Sequence, residues 1–234
     1  MHIGLLMANT DESDFAQAHP KDGAKWATLL AEVRPDWRLS VWSVKDGVFP
    51  EGPGVVDGWI ISGSPASVND ADPWVDRLMD LIRGIAAAGV PLFGACFGHQ
   101  AIARALGGRV GRNPGPFVLG QITTDYHAPE PWMGAGGPVG LYAAHGEQVL
   151  ALPAAARVLS GNAECPVGAF AIGDRILTTQ YHPEITPAFM AALLDEVTGK
   201  LPDAVVAQAR ASMAAPPDRA RMAGWIAAFL EQVR

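Results

Sequence analysis

Two short apolar runs bracket a helical pattern, and neither run alternates with polar residues. The first is Gly58-Trp59-Ile60-Ile61 and the second is Val90-Pro91-Leu92-Phe93. A strand with one wet face alternates. A strand that is apolar throughout is covered on both faces, which is the condition of a central parallel strand. Between the runs, Asp72 stands as an N-cap and Pro73 as a first helical residue. Trp74, Leu78, Leu81, Ile82 and Ile85 then share one helical stripe, and Gly89 ends it in the left-handed conformation. Strand and helix alternating in this way predict an α/β fold with helices on both faces of a largely parallel sheet.

The same pattern extends along the chain. Further strands are expected at His2–Asn9 and Arg38–Val44, then at Val118–Asp125, Val139–Ala144, Ala156–Gly161, Gly168–Ile172 and Arg175–Tyr181. Thr186 and Pro187 open another helix, with Phe189, Met190, Leu193, Leu194 and Val197 on its inner face. The final helix carries Met222, Trp225, Ile226, Phe229, Leu230 and Val233 on one stripe, which predicts that it docks on the rest. The domain proper is expected over residues 1–190, with 191–234 as a helical extension packed on it.

Composition narrows the function classes. With 49% apolar residues, the 234-residue chain has enough to fill a core. Its net charge of −7 argues against a large nucleic-acid surface. No apolar run reaches the roughly 18 residues of a membrane helix. His2–Asn9 lacks a basic lead and runs into Asp11, Glu12 and Asp14, so it reads as a first strand and not as a signal peptide. Cys96 and Cys165 form neither a disulfide framework nor a zinc spacing, and the six histidines show no metal pattern. A cytoplasmic enzyme without metal or cofactor is expected.

The chemistry lies in Leu92-Phe93-Gly94-Ala95-Cys96-Phe97-Gly98-His99-Gln100. An apolar strand ends at Gly94, a helix begins near Phe97, and Cys96 sits at the junction. A nucleophile on a strand–turn–helix bend between two glycines is the arrangement of a nucleophile elbow. The glycines leave room where strand and helix nearly touch. The helix N-terminus favours a thiolate, and the N–H of Phe97 faces the place where an oxyanion forms. Alone, Gly-x-Cys-x-Gly reads first as a buried structural cysteine. Two more segments add weight. In Gln180-Tyr181-His182-Pro183-Glu184, residues two apart point the same way in an extended chain, and Pro183 favours that geometry at His182. Glu184 can thus orient an imidazole whose other nitrogen faces the thiol. Ser62-Gly63-Ser64-Pro65 follows a strand and brings backbone N–H groups to the same sheet edge.

Taken together, these residues resemble the class I glutamine amidotransferases, with a Cys-His-Glu triad. Gly94, Cys96, Gly98 and Gln100 meet the family's Gly-x-Cys-x-Gly-x-Gln, and His182, Pro183 and Glu184 meet its His-Pro-Glu. Ala144-His145-Gly146-Glu147-Gln148-Val149 approaches Ser-His-Gly-Asp-x-Val, and Ser62–Pro65 approaches Ser-Gly-Gly-Pro, with Ser64 in place of the second glycine. The likeness is closest to the amidotransferase domain of GMP synthase and its free-standing relatives. It implies a three-layer, flavodoxin-like sandwich. It makes Cys96 the nucleophile, His182 the base and then the acid, and Glu184 the orienter. The oxyanion donors it implies are the N–H groups of Ser64 and Phe97. Gly63, Gln100, His145, Gly146 and Glu147 are implied to hold the substrate, which is glutamine or a related γ-glutamyl compound.

Other residues compete for these roles. His99 is a rival base and is expected as a partly exposed helix residue. His145 is expected to shape the pocket, Cys165 to line the pocket or the core, and Arg104, Arg109 and Arg112 to form a solvated edge. No Gly-x-x-x-x-Gly-Lys-Ser/Thr loop is present, and only about 45 residues follow the last motif helix, so no synthase domain fits. Three readings stay open: a free-standing γ-glutamyl hydrolase, a glutaminase subunit serving a separate synthase, and a non-catalytic binding protein. The loops at 62–70, 112–137 and 145–149 are expected to set the leaving group.

Overall fold

The computed structural model describes residues 1–127, 130–134 and 136–232. The first half of the chain runs β1 (His2–Met7), α1 (Asp14–Ala18), α2 (Asp22–Ala31), β2 (Arg38–Ser43), β3 (Gly58–Ile61), α3 (Pro73–Ala88), β4 (Leu92–Ala95) and α4 (Phe97–Ala105). Then come β5 (Arg109–Arg112), β6 (Val118–Tyr126), β7 (Gly137–His145), β8 (Glu147–Ala151), β9 (Ala156–Gly161), β10 (Ala169–Ile172) and β11 (Ile176–Thr179). The helices α5 (Pro187–Val197), α6 (Asp203–Ser212) and α7 (Arg219–Glu231) complete it.

Nine strands form one sheet in the order β2-β1-β3-β4-β11-β10-β9-β6-β7. The strands from β2 to β11 are parallel, and antiparallel pairing continues the sheet from β10 to β7. The parallel half explains its own apolar runs. Ile3, Leu5, Ile60 and Phe93 pack with Trp26 and Leu29 of α2 and with Phe229 of α7 on one face. Leu6, Trp59, Ile61 and Leu92 pack with Leu78 and Ile82 of α3 and Ile102 of α4 on the other. Every second side chain thus meets a helix layer, and neither face is left for polar residues.

Local signals act where they stand. Asp72 precedes α3 without a side-chain capping bond, Pro73 is its first residue, and Gly89 follows it at φ 66°. Thr186 caps α5 by accepting from the N–H of Phe189. In α7, Met222, Trp225, Ile226, Phe229 and Leu230 are buried, while Val233 lies outside the described residues. Among the described residues, no helix is long and apolar enough to cross a membrane.

Two expectations change. The segment 145–149 is not an open loop: β7 and β8 meet at Gly146 alone, and β8 pairs with β5 in a two-stranded ribbon. The segment 112–137 is not one loop: β6 divides it, and only its first part, with Arg112, Asn113, Gly115 and Phe117, lines the cavity. Its connection 127–136 joins β6 to β7 beyond the Tyr126–Gly137 pair, at the end of the hairpin opposite the Val118–His145 pair. Trp132 and Met133 of that connection are buried in the core and do not line the active cavity.

Candidate active site

Cys96 follows β4 directly and precedes α4. Its φ is 50° and its ψ −105°, and it is the one non-glycine residue with positive φ among those described. A backbone strained in this way persists only where its surroundings impose it. Here the surroundings are close contacts. A methyl group added at Gly94 would lie 2.6 Å from the carbonyl carbon of Gly98, and one added at Gly98 would lie 2.5 Å from the carbonyl oxygen of Ile61. The Cys96 N–H donates to the Thr179 carbonyl of β11 at 2.9 Å, which ties the bend to the neighbouring strand. The N–H groups of Phe97 and Ser64 find no acceptor among the described residues, and Ser64, Phe97's partner in the proposed oxyanion hole, keeps an ordinary φ.

His182 lies just past β11, at the same carboxyl edge of the sheet. Its N–H donates to the Tyr142 carbonyl of β7 at 2.8 Å, and its Nδ1 is 2.7 Å from Glu184 Oε1. Nε2 is therefore the nitrogen left for the sulfur. Gly63 explains how close the groups come: a methyl group there would sit 2.7 Å from His182 Cε1 and 3.6 Å from Cys96 Cβ. Thiol and imidazole converge on that bare backbone. Burial opposes charge on His182, but the Glu184 carboxylate and then the Cys96 sulfur overcome it and hold the imidazole well above its usual range. Burial likewise opposes charge on Glu184, and the His182 imidazolium outweighs it, so the carboxyl is held below its usual range. Each charge is kept by the other.

The site opens into a cavity of about 550 Å³. Gly63, Ser64, Gln100, His145, Gly146 and Glu147 line it with Cys96, His182 and Glu184, whereas the Phe97 side chain points into the core. Gln100 is braced within the protein: its Nε2 donates to the Glu147 carbonyl at 2.8 Å and to Gln180 Oε1 at 3.2 Å. The carboxylate of Glu147 accepts from the Ser67 hydroxyl at 2.7 Å. Gln180 was not singled out by sequence reasoning. Its Nε2 donates to Cys96 Sγ at 3.6 Å, and its place two residues before His182 was the available signal. Asp22 and Lys25 of α2 were also missed, and both line the cavity.

The rivals resolve differently. His99 is fully buried, not partly exposed. Its Nδ1 pairs with the Thr178 hydroxyl at 2.8 Å, its ring packs on Phe170, and burial lowers its pKa to about 3. It is a neutral core residue. His145 ends β7, with Nδ1 3.1 Å from the Glu147 carbonyl, and burial lowers its pKa to about 4. Cys165 is buried against Tyr181 and the Val167 carbonyl, and burial pushes its thiol up to about 12. Arg109 and Arg112 are exposed, as a solvated edge requires, and Arg112 also lines the cavity, whereas Arg104 is half-buried and donates to the Val68 carbonyl. Among the described residues no group of three or more His, Cys, Asp or Glu is arranged to hold a metal ion.

Comparison with known proteins agrees with this architecture. The chain is 33% identical over 202 residues to γ-glutamyl peptidase 4 of Arabidopsis thaliana, covering 82% of this chain and 80% of that protein. It is 38% identical over 138 residues to the GMP synthase [glutamine-hydrolyzing] of Mycobacterium bovis, a match spanning 54% of this chain and 23% of the larger enzyme. A glutamine amidotransferase from Thermotoga maritima superimposes with a TM-score of 0.76 at 16% identity, covering 98% of both chains. One from Methylobacillus flagellatus gives 0.75 at 20% identity, over 98% of this chain and 91% of that one. The class-I glutamine amidotransferase family model matches residues 49–195, which take in the Gly63 loop, the Cys96 elbow and the His182–Glu184 pair, and the chain belongs to that family.

Proposed function

We propose that this chain is a free-standing cysteine hydrolase of γ-glutamyl amides, working in the cytoplasm with Cys96, His182 and Glu184 as its catalytic residues. The observation that carries this is the convergence of Cys96 and a charged His182 on Gly63, beside two backbone N–H groups without acceptors among the described residues. The likeness to γ-glutamyl peptidases over most of both chains supports the substrate class. The two free cysteines fit a reducing compartment.

The residues account for both half-reactions. The Cys96 thiolate attacks the γ-carbonyl carbon, and the N–H groups of Ser64 and Phe97 hold the oxyanion. As the C–N bond breaks, the His182 imidazolium gives its proton to the leaving nitrogen, and a thioester remains on Cys96. The neutral imidazole then takes a proton from water while the water oxygen attacks the thioester. The C–S bond breaks, glutamate leaves, and thiolate and imidazolium are restored. Glu184 keeps Nδ1 fixed throughout, and Gly146 and Glu147 face the amino-acid end of the glutamyl group.

The test is turnover of glutamine and of γ-glutamyl peptides, with rapid acid quench and mass analysis of the protein. The wild type is expected to carry one glutamyl group on Cys96 during turnover, and Cys96→Ala to lose both adduct and activity. Full activity in Cys96→Ala overturns the mechanism. Activity that appears only when a synthase-containing extract is added overturns the free-standing reading in favour of a glutaminase subunit.

A further inference from the structure

The wall of the cavity beside the His182–Glu184 pair holds a second pair of charges. Lys25 Nζ lies 3.2 Å from Asp22 Oδ1, and their side chains are only 13% and 5% exposed. The same ammonium stands 3.8 Å from the centroid of the Phe189 ring, and Phe15 packs on Phe189 at 5.6 Å. A buried ion pair is a poor means of stabilising a fold, because apolar residues of similar volume serve as well or better. A cation fixed in a reaction cavity by a carboxylate and an aromatic face is instead prepared to meet an anion.

The reaction geometry says which part of a substrate arrives there. The leaving nitrogen must face His182, its proton source, so the group attached to that nitrogen runs along the wall nearest to His182 and Glu184. Asp22 and Lys25 are that wall: both exert an electrostatic influence on Glu184. Beyond them the space continues. A second cavity of about 190 Å³ shares Asn9, Asp11, Phe15, Asp22, Lys25 and Phe189 with the first. Ammonia, the leaving group of glutamine, needs neither this space nor a cation. An amino acid joined through its own nitrogen carries a carboxylate one carbon away.

We propose that Lys25, oriented by Asp22 and Phe189, binds the carboxylate of an amino-acid leaving group, so that the chain prefers γ-glutamyl–amino acid bonds to the primary amide of glutamine. This rests on the hydrolase reading above and names the leaving group for it. The apolar walls of Phe15 and Phe189 face the side chain of the departing residue.

The experiment compares kcat/KM for γ-glutamylglycine with that for γ-glutamylethylamide, which has a methyl group in place of the carboxylate, and for glutamine. The wild type is expected to favour γ-glutamylglycine over the ethylamide by about tenfold or more, the worth of one charge-assisted hydrogen bond. Lys25→Met removes most of that ratio through a higher KM for the glycine substrate, and Lys25→Arg keeps most of it. Should Lys25→Met prove insoluble, Lys25→Gln carries the same expectation. A wild-type ratio near one, or an equal fall on both substrates in the neutral variant, overturns the assignment of Lys25. Failure of the wild type on all three substrates is a different result: it overturns the hydrolase reading itself.

Discussion

His182 is buried at the cavity wall and yet held in its charged form, which happens only when a partner charge outweighs desolvation. Glu184 is that partner, at 2.7 Å. Glu184→Gln keeps the size and removes the charge, so burial prevails and the imidazole titrates at lower pH. A clear fall is expected, read by NMR titration of His182. The range over which the ring is an imidazolium then shrinks from its alkaline side, and alkylation of Cys96 slows at neutral pH with it. An unmoved titration would show that Glu184 does not set the charge. Cys96, His182 and Glu184 were legible as candidates because each rests on a short-range rule. The elbow needs small neighbours at 94 and 98, and the i, i+2 spacing around Pro183 aims two side chains together. Lys25, Asp22 and Gln180 were not legible, since nothing within a few residues of them shows what they face. His99 misled for the same reason: its exposure is decided by Phe170 and Thr178, far along the chain.

The element that governs the bend is α4, which is buried along nearly its whole length between the sheet and the β5–β8 ribbon. Its first turn lies against β3 and β4 with no space for a side chain at Gly98, where the neighbour is the backbone oxygen of Ile61 and cannot swing away. Gly98→Ala is therefore expected to cost about 1–3 kcal/mol in urea unfolding, the range of overpacked cores. It should also slow thiol alkylation, since α4 can yield only by tilting Cys96. Unchanged stability would contradict the packing. The parallel strands were readable because helices cover both their faces and leave runs such as Trp59-Ile60-Ile61. The ribbon strands were not. Arg109 and Arg112 of β5 are charged at both ends, and β8 opens with Glu147, so neither carries a two-sided apolar signal. The helices α1 and α2 were overlooked among acidic residues, although Trp26, Leu29 and Leu30 of α2 sit at helical spacing and are buried.

At the scale of the molecule, α7 links remote parts of the chain. Phe229 and Leu230 reach the β1–β3–β4 face, and Arg34 grips Glu231 through two bonds of 2.6 Å. At the other end of the helix, Asp218 exchanges two hydrogen bonds with the Gly140 backbone, and Arg219 Nε donates to the Pro183 carbonyl at 3.1 Å. Pro183 lies between His182 and Glu184, so the last helix braces the strand end that carries both. Arg219→Leu is expected to lower kcat by roughly tenfold through misplacement of His182, with only a small loss of thermal stability. A KM effect alone would argue against this brace.

The Arg219 brace has a consequence for biosynthesis. Translation delivers about 5–20 residues each second, so several seconds pass between the emergence of Cys96 and that of α7. During that interval the strand end that carries His182 lacks the Arg219 contact, so the imidazole is expected to be held less firmly in the nascent polypeptide than in the finished fold.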